Sequence, residues 1–444
     1  MQFLSTRGAT PATSIDTALV AGLAPDGGLY VPETIPLLVL NRSHDSLAQT
    51  AHAVLAPYFT DSVLRDSLRT ICAHAFSFDA PLRTMRGAND HLLELFHGPT
   101  AAFKDYAARF LAESLSGLRA FDGAEATPLP QSLSHKGRGE TTILVATSGD
   151  TGAAVAAAFH NRRGFNVVIL YPDGRVSPRQ AHGLECWGDN VTTFRVAGSF
   201  DDCHRLAKQA LADNALRERV ALSSANSISL GRLLPQVAYY AHASLQYFAT
   251  HREPLNFIVP TGNLGNAAAA FLGRRMGPPI GELVLATNAN DVLPRYFAGG
   301  DYAPGETRAT LANAMDVGAP SNFERLRHWH QGDADLRAAF AAHAIDDATI
   351  SETTRHAPQR HGVVPCPHTA TGLSVLEQLR ARGDTRPWAV VATAHPAKFE
   401  AIVEPLVGHA LELPPSLAQT LARPAFAESL AVDYAALRNR LLAD

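Results

Sequence analysis

Two rhythms alternate along most of this chain. Short runs of consecutive apolar and β-branched residues predict strands: TTILVAT (141–147), NVVILYP (166–172), VTTFRVAG (191–198), NFIVPTG (256–262), ELVLATN (282–288) and WAVVATAH (388–395). Between them lie segments with apolar residues every three to four positions, which predict helices. DDCHRLAKQALAD (201–213) is one, and AAVAAAFHNRR and AAAAFLGRRMG follow the turns SGDTG and NLGN. Strands apolar on both faces, separated by helices, imply an α/β fold. The expected architecture is open, mostly parallel sheets with helices on both faces.

The first hundred residues read differently. AGLAPDGGLYVPETIP (21–36) is punctuated by Pro25, Gly27, Gly28 and Pro32, helical periodicity runs over about 46–75, and HLLELFHGPT (91–100) is a short strand ending in a Gly-Pro turn. An amphipathic helix is expected over 105–121, then a polar surface loop over 122–140. The resulting division is an N-terminal domain 1–95, a catalytic region 96–420 of two α/β subdomains, and closing helices 421–444.

Composition narrows the class. The 444 residues are 46% hydrophobic and 18% charged, with a net charge of −4, so no basic surplus suggests nucleic acid or an anionic membrane. The polar start MQFLSTRGATPATSID has no signal-peptide core, and no apolar run is long enough to span a membrane. Cys72, Cys186, Cys203 and Cys366 lack CxxC spacing, so the expectation is a reducing cytoplasm with neither disulfides nor a metal site. Only four lysines occur, Lys104, Lys136, Lys208 and Lys398, against 34 arginines.

The strand-to-helix turns carry the candidate chemistry. In GPTAAFKDYA (98–107), Lys104 stands where a turn enters a helix; it is either a surface lysine or a partly desolvated amine suited to a Schiff base with an aldehyde cofactor. In TGNLGN (261–266), glycines between strand and helix allow successive N–H groups to form an anion nest, without the lysine of a Walker motif. ATSGDTGAA (146–154) offers Ser148, Thr151 and backbone donors to a carboxylate or phosphate, or else a simple helix cap. SANSISLGR (224–232) groups Asn226, Ser227 and Arg232; taken locally it favours an Asn-Ser turn with a solvated arginine, although a guanidinium there also suits an oxyanion. In PCPHTATGL (365–373), a Thr369 or Thr371 hydroxyl can face a ring nitrogen, whereas His356, His361, Cys366 and His368 match no zinc spacing.

Taken in order, LELFHGPTAAFKD, ATSGDTG, LYPDGRVSP, FDDC, ANSI, VPTGNLGN, LATNAND, SNFERL, PHTATG and TAHPAKF resemble the threonine synthase family of the bacterial and fungal type. So do the early STRG and APDGGLYVP, and the resemblance spans roughly 5–400. It implies a fold type II pyridoxal-phosphate enzyme with the cofactor on Lys104. It further implies that Gly262, Asn263, Leu264, Gly265 and Asn266 hold the cofactor phosphate and that Thr369 meets the pyridine nitrogen. Ser148, Gly149, Asp150 and Thr151 would hold the substrate carboxylate region. Asn226, Ser227 and Arg232, with Thr151, would bind the substrate phosphate. The cradle reads GNLGN where relatives often have GNFGD.

The implied reaction converts O-phospho-L-homoserine and water to L-threonine and phosphate, in a cytoplasmic protein with a monomer as the favoured state. Two other functions are compatible with the motifs: a phospholyase that releases a 2-oxo acid, and a non-catalytic homologue that binds the cofactor. Of the other lysines, Lys136 is placed in the loop, Lys208 on an amphipathic helix and Lys398 outside any phosphate cradle. Asp150 replaces the asparagine that, in the wider superfamily, donates to the cofactor's phenolic oxygen. An ionised carboxylate cannot donate, so Asp150 is protonated, reaches that oxygen through a bridging water or, as the favoured expectation, caps the helix that begins near Gly152.

Overall fold

The apolar runs form strands, and nearly all pair in parallel. A computed structural model describes residues 1–38, 45–87, 89–124 and 140–443, without the side chains of 122–124. Lys136 and most of the 122–140 loop therefore lie outside the described residues.

The larger sheet has six strands in the order Ala341–Ala344, Ile280–Thr287, Leu255–Pro260, Trp388–Ala392, Asp90–Glu94 and Leu82–Thr84. Only the last pair is antiparallel. The smaller sheet has five parallel strands, Glu428–Leu430, Val191–Val196, Phe165–Pro172, Thr141–Ala146 and Ala221–Ser223. All five residues of Trp388–Ala392 and all six of Thr141–Ala146 are buried. Both faces of these central strands are covered by helices, which is why they read as continuous apolar runs.

The N-terminal residues are less regular. Phe3–Ser5 pairs antiparallel with Tyr30–Pro32. The helical rhythm of 46–75 breaks into Leu47–Leu55, a 3₁₀ turn Ala56–Phe59 and Leu68–Ala75. Pro57 has no N–H to continue the first helix. The segment 1–95 also supplies two strands to the larger sheet. At the other end, where closing helices were expected, the strand Glu428–Leu430 precedes the helix Tyr434–Ala443. Three residues are too few for a period to register in the sequence.

Parallel strands place their carboxyl ends along one edge of a sheet, where ligands of open α/β folds bind. Four such ends run into the segments 95–103, 147–149, 261–264 and 393–399, and these hold most of the chemistry.

Candidate active site

The helix Lys104–Ala124 begins on a loop tied down from two sides. Phe103 N–H donates to the Thr393 carbonyl at 2.8 Å, and His395 N–H donates to Ala101, whose φ is 52°. From inside the helix, the Asp105 carboxylate accepts the Thr100 N–H at 2.9 Å and its hydroxyl at 2.6 Å. Lys104 is half-buried. Burial lowers the pKa of its amine to about 8; Asp150 opposes this, and Arg232 and Lys398 add to it. An amine titrating there is available as a nucleophile near neutral pH.

The SGDT turn is built on Gly149, whose φ of 132° few other residues adopt. The Thr147 hydroxyl accepts from the N–H groups of Gly149 and Gly152 at 3.0 and 2.9 Å, so Thr147 caps this helix start. The cap expected from Asp150 is absent. Asp150 is the first helical residue, and its carboxylate lies 2.7 Å from the Lys398 ammonium and 3.3 Å from the Gln180 amide. A buried carboxylate gains more from an opposite charge than from helix N–H groups already taken by Thr147. Burial pushes the Asp150 carboxyl up, but the neighbouring lysines, Lys398 and then Lys104, outweigh it and hold it ionised well below the usual carboxylate range. Lys398, which the sequence reading set outside any phosphate cradle, is 3% exposed and part of this cluster.

Thr369 sits in the first turn of the helix Pro367–Ala381, with its hydroxyl 3.2 Å from the sulfur of Cys366, the N-cap residue. Next to it, His368 accepts the Ala314 N–H at 3.0 Å and is pushed down to about 4 by burial. Thr369, Cys366 and His395 also border a cavity of about 280 Å³.

The third turn precedes the helix Gly265–Arg275. Leu264 adopts a left-handed conformation (φ 61°), and no side chain caps the helix. A Cβ on Gly265 would meet the Asn322 amide at 3.7 Å and the Gln236 amide and Ser227 carbonyl at 3.9 Å, ordinary contacts that polar groups make with the space beside this helix start. In contrast, a Cβ on Gly262 would fall 2.7–2.9 Å from the Met315 backbone. Leu264 is buried in the core, and the Asn266 side chain turns back to the Thr261 hydroxyl and the Pro260 carbonyl. Both therefore offer this space only their main chain. A helix start whose N-cap residue makes no side-chain bond fits a phosphate, and a low-pKa amine fits an aldehyde, so the residues present suit a phosphorylated aldehyde cofactor.

The fourth cluster adjoins the third. Asn263 donates to the Ser227 hydroxyl at 2.8 Å. Arg232 is 2% exposed, donates to the Ala225 carbonyl and keeps its Nε unpartnered among the described residues. Asn226 lies in the same turn, its carbonyl accepting from Ser229 N–H at 3.1 Å. Asn322 donates to the Asn263 carbonyl at 2.9 Å, and the buried Arg325 binds Asn322, Tyr30 and Ile228. Ser148 and Thr151 stay half-buried beside Asp150.

Reading the residues in sequence missed Lys398, His368, Thr147, Asn322 and Arg325. The scarcity of lysine was a usable signal for the first. The others lie in or beside segments already conspicuous as SNFERL, PHTATG and ATSGDTG.

Comparison with known proteins agrees with this geometry. Residues 89–397 match the pyridoxal-phosphate dependent enzyme family, 2–76 the threonine synthase N terminus and 369–440 the threonine synthase C-terminal family. The chain is 39% identical to threonine synthase of Haemophilus influenzae, with 96% of each chain covered. It is 36% identical to that of Escherichia coli, covering 97% of this chain and 96% of the other. The crystal structure of the Escherichia coli enzyme superposes over 100% of both chains with a TM-score of 0.88 at 35% identity. A structure described as PLP-bound threonine synthase from Brucella melitensis gives 0.88 at 32%, covering 100% of this chain and 99% of that one. The chain belongs to the threonine synthase family of pyridoxal-phosphate-dependent enzymes.

Proposed function

We propose that this protein converts O-phospho-L-homoserine and water to L-threonine and phosphate. The observation that carries this reading is the 2.8 Å bond from Asn263 to Ser227. It joins the helix-start nest to a second polar cluster beside the buried Arg232, giving adjacent places for a cofactor phosphate and a substrate phosphate.

In this reading the main-chain N–H groups of 262–266 hold the cofactor phosphate, Lys104 carries the cofactor and Thr369 meets its ring nitrogen. Bound there, pyridoxal phosphate supplies the electron sink that stabilises negative charge next to the substrate amine. Ser148 to Thr151 hold the substrate carboxylate region. Arg232, Asn226 and Ser227, with Thr151, grip the substrate phosphate and orient it as it leaves Cγ. Lys104, once the substrate is held, would take protons from Cα and Cβ and deliver one to Cγ, which ends as a methyl group, and one back to Cα, and its lowered pKa suits both directions. Water then adds at Cβ.

The test is incubation with O-phospho-L-homoserine, followed by product identification. Threonine and phosphate in equal amounts are expected. Phosphate with 2-oxobutyrate indicates a phospholyase instead, and no phosphate release indicates a non-catalytic homologue. Borohydride reduction and peptide mapping should place the cofactor on Lys104.

The resemblance favours a monomer, which sedimentation can test. A reducing cytoplasm suits four cysteines that are all buried and free. Among the described residues no helix is long and apolar enough to cross a membrane.

A further inference from the structure

A second lysine shares the space around Lys104. Lys398 lies in the 3₁₀ turn Pro396–Phe399, after the strand Trp388–Ala392. Its ammonium donates to the Thr100 carbonyl at 2.7 Å and pairs with Asp150 at 2.7 Å, and both charged side chains are 4% exposed. Its own carbonyl accepts the Ser177 hydroxyl at 2.8 Å, and Arg179 donates to the neighbouring Ala397 carbonyl. Lys398 thus ties the loop that delivers Lys104 to the turn that delivers Asp150, across the two sheets.

We propose that Lys398 is a positioning residue for Lys104: its buried pair with Asp150 holds that carboxylate in place and offsets its charge at the Lys104 nitrogen. The proposal rests on the reading that Lys104 carries the cofactor, and it explains why the second buried lysine does not. A nitrogen whose hydrogens are engaged by a carboxylate and a carbonyl is not free to attack an aldehyde. Without the pair, Asp150 would act on Lys104 as a lone buried anion.

The charged and titratable groups around these side chains come from several elements. Asp150, Arg232 and Lys398 face Lys104. Lys398, Lys104 and His368 face Asp150, and Asp105 and His395 also feel Lys398. His368 is neutral near pH 7, so among the partners of Asp150 the charges that remain are the two lysines. Removing Lys398 leaves the carboxylate to favour a proton on the Lys104 nitrogen. Removing the Asp150 charge leaves Lys398 to disfavour it.

The experiment is a pH titration of the bound cofactor's absorbance in the full-length holoenzyme, which reads the proton held at the Lys104 nitrogen. In Lys398→Met the midpoint should move up by about one pH unit, and in Asp150→Asn it should move down by a similar amount. The double variant should return close to the parent, and Lys398→Arg, which keeps the charge, should stay near it. If Lys398→Met does not fold, Asp150→Asn and the double variant still decide. Midpoints unchanged in Asp150→Asn, or a double variant no closer to the parent than the singles, overturn the proposal. Borohydride mapping of the same preparations separates the two ideas. Label away from Lys104 removes the reading beneath the proposal, whereas label on Lys104 with unmoved midpoints removes the proposal alone.

Discussion

Asn322 donates its side-chain amide to the main-chain carbonyl of Asn263 at 2.9 Å, and so fixes the turn that opens the helix Gly265–Arg275 from outside that turn. Arg325 holds Asn322 in place while also binding the Tyr30 and Ile228 carbonyls. Arg325→Met removes the donor from three acceptors, two of them buried, and should cost about 2–4 kcal/mol of unfolding free energy, measured by denaturant titration. Arg325→Lys should recover only part of this, because an ammonium cannot reproduce the guanidinium fork. Full stability in the methionine variant would show that the network is dispensable.

Gly262 is constrained by space. The Met315 backbone stands where a Cβ would go, so Gly262→Ala must push two main-chain segments apart. Overpacking of this kind costs about 1–3 kcal/mol, and the shift should widen the nest. The expected outcome is a lower melting temperature with at least tenfold weaker cofactor retention, where tenfold is about 1.4 kcal/mol. Equilibrium dialysis measures the second quantity.

Arg232 keeps a buried donor without a partner, the state expected of a group that waits for an anion. Arg232→Ala should lower kcat/KM for O-phospho-L-homoserine about a hundredfold, the loss of one charge-assisted contact worth about 2–3 kcal/mol. The cofactor absorbance should not change. Unchanged kinetics would place Arg232 outside the substrate site.

Thr369 is the residue proposed to meet the cofactor's ring nitrogen. Thr369→Val keeps the shape and removes the hydroxyl, which now lies against the Cys366 sulfur. Loss of one neutral hydrogen bond predicts cofactor binding weaker by about 1 kcal/mol and a shifted absorbance maximum. Thr369→Ser should restore both, and a valine variant with parental affinity and spectrum would leave the hydroxyl without this role.

His368 predicts a pH dependence of stability. Its folded pKa is pushed from 6.5 to about 4 by burial, so the folded state favours the neutral ring that accepts the Ala314 N–H. A depressed folded pKa means that the contribution is full above about pH 6.5 and is lost as pH falls towards 4. The loss amounts to about 3 kcal/mol if unopposed. His368→Asn should flatten the fall in unfolding free energy across that window; an identical slope would assign the acid sensitivity to other groups.

Much of this protein is determined locally. Buried β-branched runs bounded by glycine turns specify parallel strands, because a strand covered on both faces has no polar side to show. Lys104 at a helix entry, the glycines of 262–265 and the small residues around Asp150 are legible for the same reason: each depends on the backbone within a few residues of itself. What side chains do with one another depends on loops that only the two folded sheets bring together. Asp150 looked like a helix cap because Asp commonly is one, and nothing near it in sequence reveals that Thr147 takes the helix donors. Nor does the sequence show that Lys398, from the far end of the chain, supplies its counter-charge. Asn322 and Arg325 are hidden in the same way, as residues of an ordinary polar segment until the fold sets them against Asn263 and Tyr30. Short strands such as Glu428–Leu430 have too few residues for a pattern and exist because a sheet edge, Val191–Val196, is there to pair with them.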